Sequence, residues 1–315
     1  DVSFINKIFF YSSSLEGGAL SQLSKKSSWK NLKKKTEVAA LNYAEDLVVC
    51  YKERKGLTRP PYLIAEKILG DFVNSFKYQD TFDQEKSWSD ILNDLKSSTP
   101  MNRLLCGDVG FGKTEIAIRA AFVASFSSKQ TVVLAPTTVL ASQLFDCFNN
   151  RLSSFGVLVD RFYRNSSKTS TLDGFLSKET DVLICTHAIL RKPEILKQCS
   201  LFIVDEEHRF GVKDKELVFK YRPNVDYLSL SATPIPRTLQ MSLSNIRNAS
   251  VIKTPPVSRK PIISQLCYYD FELIEKLIIN EINRGGQVYF VDNSVDNVSF
   301  YLNKFSSLYP NINFD

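Results

Sequence analysis

Histidine is scarce here, with 2 in 315 residues, and its scarcity removes most zinc chemistry at the outset. No H-E-x-x-H occurs, and His208, beside a carboxylate cluster, has no second histidine near it. The 6 cysteines form no C-x-x-C pair, which points to reduced thiols rather than a disulfide framework or a structural zinc site. No apolar run is long enough to span a bilayer, and no signal peptide, internal repeat or low-complexity segment is visible. The chain starts at Asp1 without Met, so a longer native N-terminus is expected. Strong charge of either sign is also lacking. The net charge is +6, and much of the excess sits in "KKSSWKNLKKK". A lysine run of this kind is ordinarily a solvated helix face, although nucleic acid or an acidic partner also suits it. What remains is an ordinary folded composition, 43% hydrophobic, long enough for two domains.

The chemistry begins at "CGDVGFGKTE". Gly107-x-x-x-x-Gly112-Lys113-Thr114 fits a phosphate-binding loop, with a strand ("RLLC") before it and a helix ("TEIAIRAAFVASF") after it. Glycines let successive N–H groups surround phosphate oxygens, and the helix N-terminus adds a favourable dipole. Lys113 reaches the outer phosphates and the Thr114 hydroxyl can ligate Mg²⁺. Asp108, Gly110 and Glu115 fall in the same stretch and are expected to contact the nucleotide. ATP and Mg²⁺ are the implied cofactors.

"VDEEHRFGV" then has a meaning it would lack alone. A charged turn leaving a strand is the bland reading of such a cluster. With a phosphate loop present, Asp205 suits the strand-end aspartate that helps hold Mg²⁺. Glu206 is the candidate to orient or deprotonate the attacking water, and His208 lies two residues beyond.

Along the chain, a helical pattern covers about residues 28 to 55, where Leu41, Ala44, Val48 and Tyr51 recur at helical steps; Gly56 and "RPP" stop it. From Arg103, "TVVLA", "DVLIC", "LFIV" and "YLSLS" alternate with helical stretches, the pattern of a parallel sheet with helices on both faces. "KTPPVSRKP" reads as a linker. Beyond it, "IISQLCYY" and "GGQVYFV", each followed by a helix, read as the first two strands of a second α/β unit. Four segments are expected: 1–26, a tail and loop; 27–59, the long helix; 60–254, the ATP-binding domain; and 255–315, a linker with the start of a second domain.

Three more stretches narrow the use of ATP. "LAPTTVLASQ" offers Pro136, Thr137 and Thr138 at a strand end, with hydroxyls and backbone donors suited to phosphate oxygens. "ICTHAIL" repeats this with Thr186 and His187. "LSATPIPRTL" places Ser231 and Thr233 where a hydroxyl pair can sense the nucleotide and pass its state on. Each alone is also an ordinary helix N-cap.

Taken in order, these stretches resemble superfamily 2 helicases and translocases, from "GDVGFGKT" through "APTTVL", "CTHAIL", "DEEH" and "SATPIPRTL" to "GGQVYF". The finer resemblance, carried by "MNRLLCGDVGFGKTEIAIRAAF", "VDEEHRFGVKDKE" and "ATPIPRTLQM", is to the transcription-repair coupling factors, which remove stalled RNA polymerase from damaged DNA. The related fork-reversal helicases of the RecG type usually carry Ser in place of Phe111 and Gln in place of Glu207. The N-terminal "LSQLSKKSSWKNLKKKTEVAALNYAEDLVVCYKERKG" resembles the helix joining the family's polymerase-interacting domain to its motor.

The resemblance implies a RecA-like P-loop domain followed by the start of a second one, and an ATP-dependent double-stranded DNA translocase. It makes Gln84 the adenine-reading glutamine and Phe76 the aromatic near the base, although the family usually has Pro where Phe82 stands. Arg164 falls in a DNA-contacting loop whose usual following Phe is Asn165 here. Pro136, Thr137, Thr138, Thr186 and His187 become DNA-backbone contacts, and His208, Ser231 and Thr233 coupling residues. RNA polymerase is an implied partner through a missing N-terminal domain. The arginine-finger motifs are absent from this stretch, so a piece of a motor is expected. The alternatives are a RecG-type helicase and a non-catalytic nucleotide- or DNA-binding module. Bacterial cytoplasm is the expected location, and "KGLTRPPY" also resembles plastid homologues.

Overall fold

The computed structural model describes residues 56–163, 169–232, 247–257 and 262–310, together with Arg54, Arg259 and residues 312–313. The chain divides into two units, Asp1–Arg259 and Lys260–Asp315.

The first unit is built on a seven-stranded sheet whose paired strands all run parallel. Its strands are β1 (Asn102–Gly107), β2 (Thr131–Leu134), β3 (Val159–Phe162), β4 (Val182–Cys185), β5 (Leu201–Val204), β6 (Asp226–Ser231) and β7 (Asn248–Ile252), in the order β3-β4-β2-β5-β6-β1-β7. Every residue of β2, β4, β5 and β6 is buried, which is why these strands read as near-continuous apolar runs. Successive side chains alternate between the faces. Val133, Ile184, Ile203 and Leu228 enter one core, and Val132, Leu183, Phe202 and Tyr227 enter the other.

Helices close both faces. Phe72 of α1 (Glu66–Asn74), Ile91 of α2 (Phe82–Lys96), Phe122 of α3 (Lys113–Phe126) and Phe148 of α4 (Thr138–Leu152) fill the first core. Phe175 of α5 (Thr169–Leu176), Ile195 of α6 (Pro193–Gln198) and Val218 of α7 (Val212–Tyr221) fill the second. The helix α3 is buried on nearly all sides, so the phosphate loop before it rests on a rigid element.

The helix expected over residues 27–59 lies outside the described residues except for Arg54 and residues 56–59, which are not helical. Arg54 is buried, donates to the carbonyls of Pro223 and Val225, and stacks over Phe219. Arg59 clamps the buried Asp226 at 2.7 and 2.9 Å. The segment entering the unit is thus fastened to the start of β6.

The second unit contains α8 (Phe271–Asn283) and α9 (Val295–Leu308). The expected strands "IISQLCYY" and "GGQVYFV" do not form there. Their apolar side chains, Ile263, Leu266, Tyr289 and Val291 among them, are exposed, and a ladder needs partner strands and a face to bury.

Candidate functional site

The loop from Gly107 to Gly112 leaves the carboxyl end of β1 and turns into α3. Gly112 has φ +76°, which favours glycine, and a Cβ built there would stand 2.3 Å from Gln84 Nε2 and oblige that carboxamide to shift. Lys113 Nζ donates to the carbonyls of Gly107 at 2.6 Å and Asp108 at 3.0 Å. Burial lowers the Lys113 pKa, while Glu206, Asp205 and Asp108 act to raise it. The ammonium therefore lies within the field of the acids that end β5. Thr114, the second residue of α3, is half-buried.

Those acids are held by the sheet. Asp205 N extends the ladder by donating to Leu134 O at 2.9 Å. Burial raises the Asp205 pKa, the neighbouring Glu206 charge adds to the rise, and Lys113 opposes it. Glu206 adopts φ 53°, ψ 56°, a left-handed conformation that is strained for a residue with a side chain. Two carboxylates and a hydroxyl around a loop of phosphate-seeking amides suit Mg²⁺, which commonly takes one or two protein carboxylates and completes its shell from substrate and water. Among the described residues no cluster of three or more histidine, cysteine, aspartate or glutamate side chains is placed to hold a metal ion.

Glu207 turns the other way, and sequence reasoning gave it no role. Its buried carboxylate accepts from Arg247 Nη1 at 2.8 and 2.7 Å and from Ser229 Oγ at 2.7 Å, and it pairs with Lys215 Nζ at 2.7 Å. Arg247 also donates to Arg103 O at 3.2 Å. The end of β5 is thereby tied to β6, to β1 and to the segment entering β7.

The helix α2 supplies Gln84, which is buried. Its Oε1 accepts from Thr81 N at 2.7 Å, closing a capping box. Its Nε2 donates to Phe111 O at 3.0 Å. One N–H and one lone pair remain for a ligand. Phe76 lies under two guanidinium groups, those of Arg151 at 5.3 Å and Arg119 at 5.6 Å. The buried carboxylate of Glu115 is bonded to Arg119 at 3.1 Å and to Arg151 at 2.8 Å.

The other candidates line the same strand ends. Thr137 is the N-cap of α4, its Oγ1 accepting from Leu140 N at 3.2 Å, so the bland reading holds for its acceptor side and the hydroxyl proton is left over. Pro136 is half-buried and Thr138 exposed. Thr186 precedes a 3₁₀ turn without a side-chain cap, and the His187 ring stacks on Phe210 at 4.3 Å. Ser231 is buried at the end of β6. Arg164, Thr233 and the His208 side chain lie outside the described residues. The structure thus gathers Gln84, the phosphate loop, Asp205 and Glu206 on one edge of the sheet, with the loops after β2 and β4 alongside.

Comparison with known proteins bears on this arrangement. The profile of the DEAD/DEAH box helicases matches residues 81–242. The transcription-repair-coupling factor of Bacillus subtilis is 41% identical over 287 residues, covering 90% of this chain and 24% of that protein. A chloroplastic ATP-dependent DNA helicase of Arabidopsis thaliana is 40% identical over 298 residues, covering 93% of this chain and 36% of that protein. Among solved structures, RecG bound to a three-way DNA junction superposes with a TM-score of 0.67 at 29% identity, over 89% of this chain and 39% of that one. The chain therefore spans a quarter to a third of the length of these curated relatives. No helix among the described residues is long and apolar enough to cross a membrane. With its RecA-like sheet and ATP-binding loop, this chain belongs to the DEAD/DEAH box helicase family.

Proposed function

We propose that this chain carries the ATP-binding half of a motor that moves on double-stranded DNA and displaces stalled RNA polymerase, the activity that its resemblance to the transcription-repair coupling factors implies. One observation carries the reading: the phosphate loop with Lys113 and the Asp205–Glu206 pair leave the carboxyl ends of β1 and β5 in one parallel sheet. Identity of 39–41% to coupling factors from several bacteria supports the finer assignment.

In this reading the amides of the loop and Lys113 hold the triphosphate. Thr114 and Asp205 would hold Mg²⁺, which when bound neutralises charge on the phosphate oxygens. Glu206 orients the attacking water and accepts its proton. Gln84 reads the adenine edge with its remaining donor and acceptor, and Phe76 packs near the base. Ser231, Thr233 and His208 pass the nucleotide state onward. Pro136, Thr137, Thr138, Arg164, Thr186 and His187 meet the DNA backbone, so binding is independent of base sequence and falls steeply with salt.

The test is ATP hydrolysis by the intact protein with and without duplex DNA, for wild type, Lys113→Ala and Glu206→Gln. Lys113→Ala should lose ATP binding; Glu206→Gln should bind ATP and not turn it over. Equal turnover by wild type and Glu206→Gln would remove the assigned base. Displacement of a stalled RNA polymerase separates the coupling role from fork reversal, because a fork-reversal enzyme leaves the polymerase in place.

A further inference from the structure

The segment leaving β7 is laid down along a fixed path. Lys253 N and Thr254 N each donate to Asp83 Oδ2 at 2.9 Å, and Thr254 Oγ1 adds a third bond at 2.9 Å. Pro255 and Pro256 then restrict the backbone, and Arg259 N turns back to Pro256 O at 2.9 Å. The end of β7 is also pressed against the loop, since a Cβ built on Gly107 would stand 3.2 Å from Ile252 Cβ. The result is that Arg259 lies over the phosphate loop. Its Nη2 is 3.2 Å from Asp108 Oδ2, and its guanidinium is 4.8 Å from the centre of the Phe111 ring. A Cβ on Gly110 would come within 3.6 Å of its Nε.

The Asp108 contact is a weak reason for such placement. The Asp108 side chain is 58% exposed and that of Arg259 27% exposed, and open ion pairs of this kind contribute little. The guanidinium is a planar fork of five donors that matches phosphate oxygens better than a single carboxylate oxygen. It stands at the loop whose amides and Lys113 take polyphosphate in this family. We infer that Arg259 is a further ligand of the nucleotide's polyphosphate, supplied by the segment after β7, and that it exchanges Asp108 for phosphate oxygens when ATP enters. The inference rests on the ATP reading of the loop and adds to it a residue outside the helicase-profile match.

Binding of fluorescent mant-ATP, mant-ADP and mant-AMP to the 315-residue chain tests it, with wild type, Arg259→Ala, Arg259→Lys and Lys113→Ala compared. Arg259→Ala should weaken ATP by about tenfold or more, weaken ADP less, and leave AMP unchanged. Arg259→Lys should recover part of the loss, because it keeps charge without the fork. Unchanged or tighter ATP binding by Arg259→Ala overturns the inference. So does an equal loss for ATP and AMP, which is the mark of a structural tether. If wild type binds no ATP, or Lys113→Ala binds it unimpaired, the loop reading fails and takes the inference with it. If Lys113→Ala is weakened and Arg259→Ala is not, the inference alone fails.

Discussion

Arg247 grips Glu207 through one nitrogen shared between both carboxylate oxygens, at 2.8 and 2.7 Å, across 40 residues of chain. The pair is buried with Lys215 as a second cation, the side chains being 7% to 9% exposed. Glu207 is one residue past Glu206, so whatever holds Glu207 also fixes the turn that presents the Asp205–Glu206 pair.

The first prediction concerns that pair. Glu207→Ala leaves two buried cations without their anion, and removing one partner of a buried pair typically destabilises by about 3–5 kcal/mol. Glu66 and Lys96, 3.9 Å apart with side chains 86% and 45% exposed, provide the contrast. Glu66→Ala should change stability by about 1 kcal/mol at most. Urea unfolding of both variants checks the ranking, and similar losses would contradict the burial argument.

The second concerns Gly112. Alanine there meets both an unfavourable φ of +76° and the Gln84 carboxamide. Left-handed backbone alone costs a residue with a side chain about 1–2 kcal/mol. Gly112→Ala should therefore lower the unfolding free energy by about that amount and also weaken ATP, because the Gln84 carboxamide is displaced from its place beside the loop. Gly156, at φ +76° with open space around it, separates the two effects. Gly156→Ala should show the backbone cost alone and leave ATP binding intact.

The motifs were legible because each is local. A phosphate loop is six residues between a strand and a helix, and the acids sit where an apolar run ends. The central strands were legible because both their faces are buried, leaving no polar alternation to confuse them. The edge strands were not. β3 reads "VDRF" and β7 "NASVI", half-exposed and mixed in character. The ion-pair partners escaped for a different reason: Glu207 and Arg247, or Asp83 and Thr254, meet only once the sheet has ordered its strands. The ion pairs of Glu115 with Arg119 and Arg151 escaped likewise, because its place in the loop motif says nothing of either arginine. "IISQLCYY" and "GGQVYFV" have strand-like sequences, but a strand requires a partner as well as a propensity.

The third prediction uses the buried thiols. Burial pushes the Cys199 thiol from its ordinary 9.0 up to about 12 and raises that of Cys185 well above the usual range. Their contribution to stability is complete below about pH 9 and is lost as pH rises toward 12, because the unfolded chain ionises first. A thiol reagent at pH 8 should label Cys267 and Cys147, which are exposed, and label Cys106, Cys185 and Cys199 only on unfolding. Mass mapping of labelled peptides reads the outcome; early labelling of Cys199 would show that its surroundings open locally.

The last prediction sets function against stability at Glu206. Its backbone is left-handed at φ 53° and ψ 56°, and its charge helps raise the pKa of Asp205. The backbone strain works against folding, while the charge is unfavourable toward Asp205 and favourable toward the Lys113 ammonium; strain of this sort persists at sites where a side chain must be aimed. Glu206→Gly relieves about 1–2 kcal/mol of backbone strain and returns part of it through glycine's freedom in the unfolded chain, roughly 0.5–1 kcal/mol. It also removes a carboxylate beside Asp205. Glu206→Gly should therefore be more stable than Glu206→Gln, which has lost the same charge beside Lys113 and Asp205, by up to about 1 kcal/mol, and should lose ATP turnover. Glu206→Gln keeps the side chain and the left-handed turn, so it should lose turnover without the backbone gain. Unfolding free energies for the three proteins, measured beside DNA-stimulated ATP hydrolysis, decide it. If glycine destabilises as a buried-contact loss would, then Glu206 serves the fold, and its strained turn is not a device for aiming a base at water.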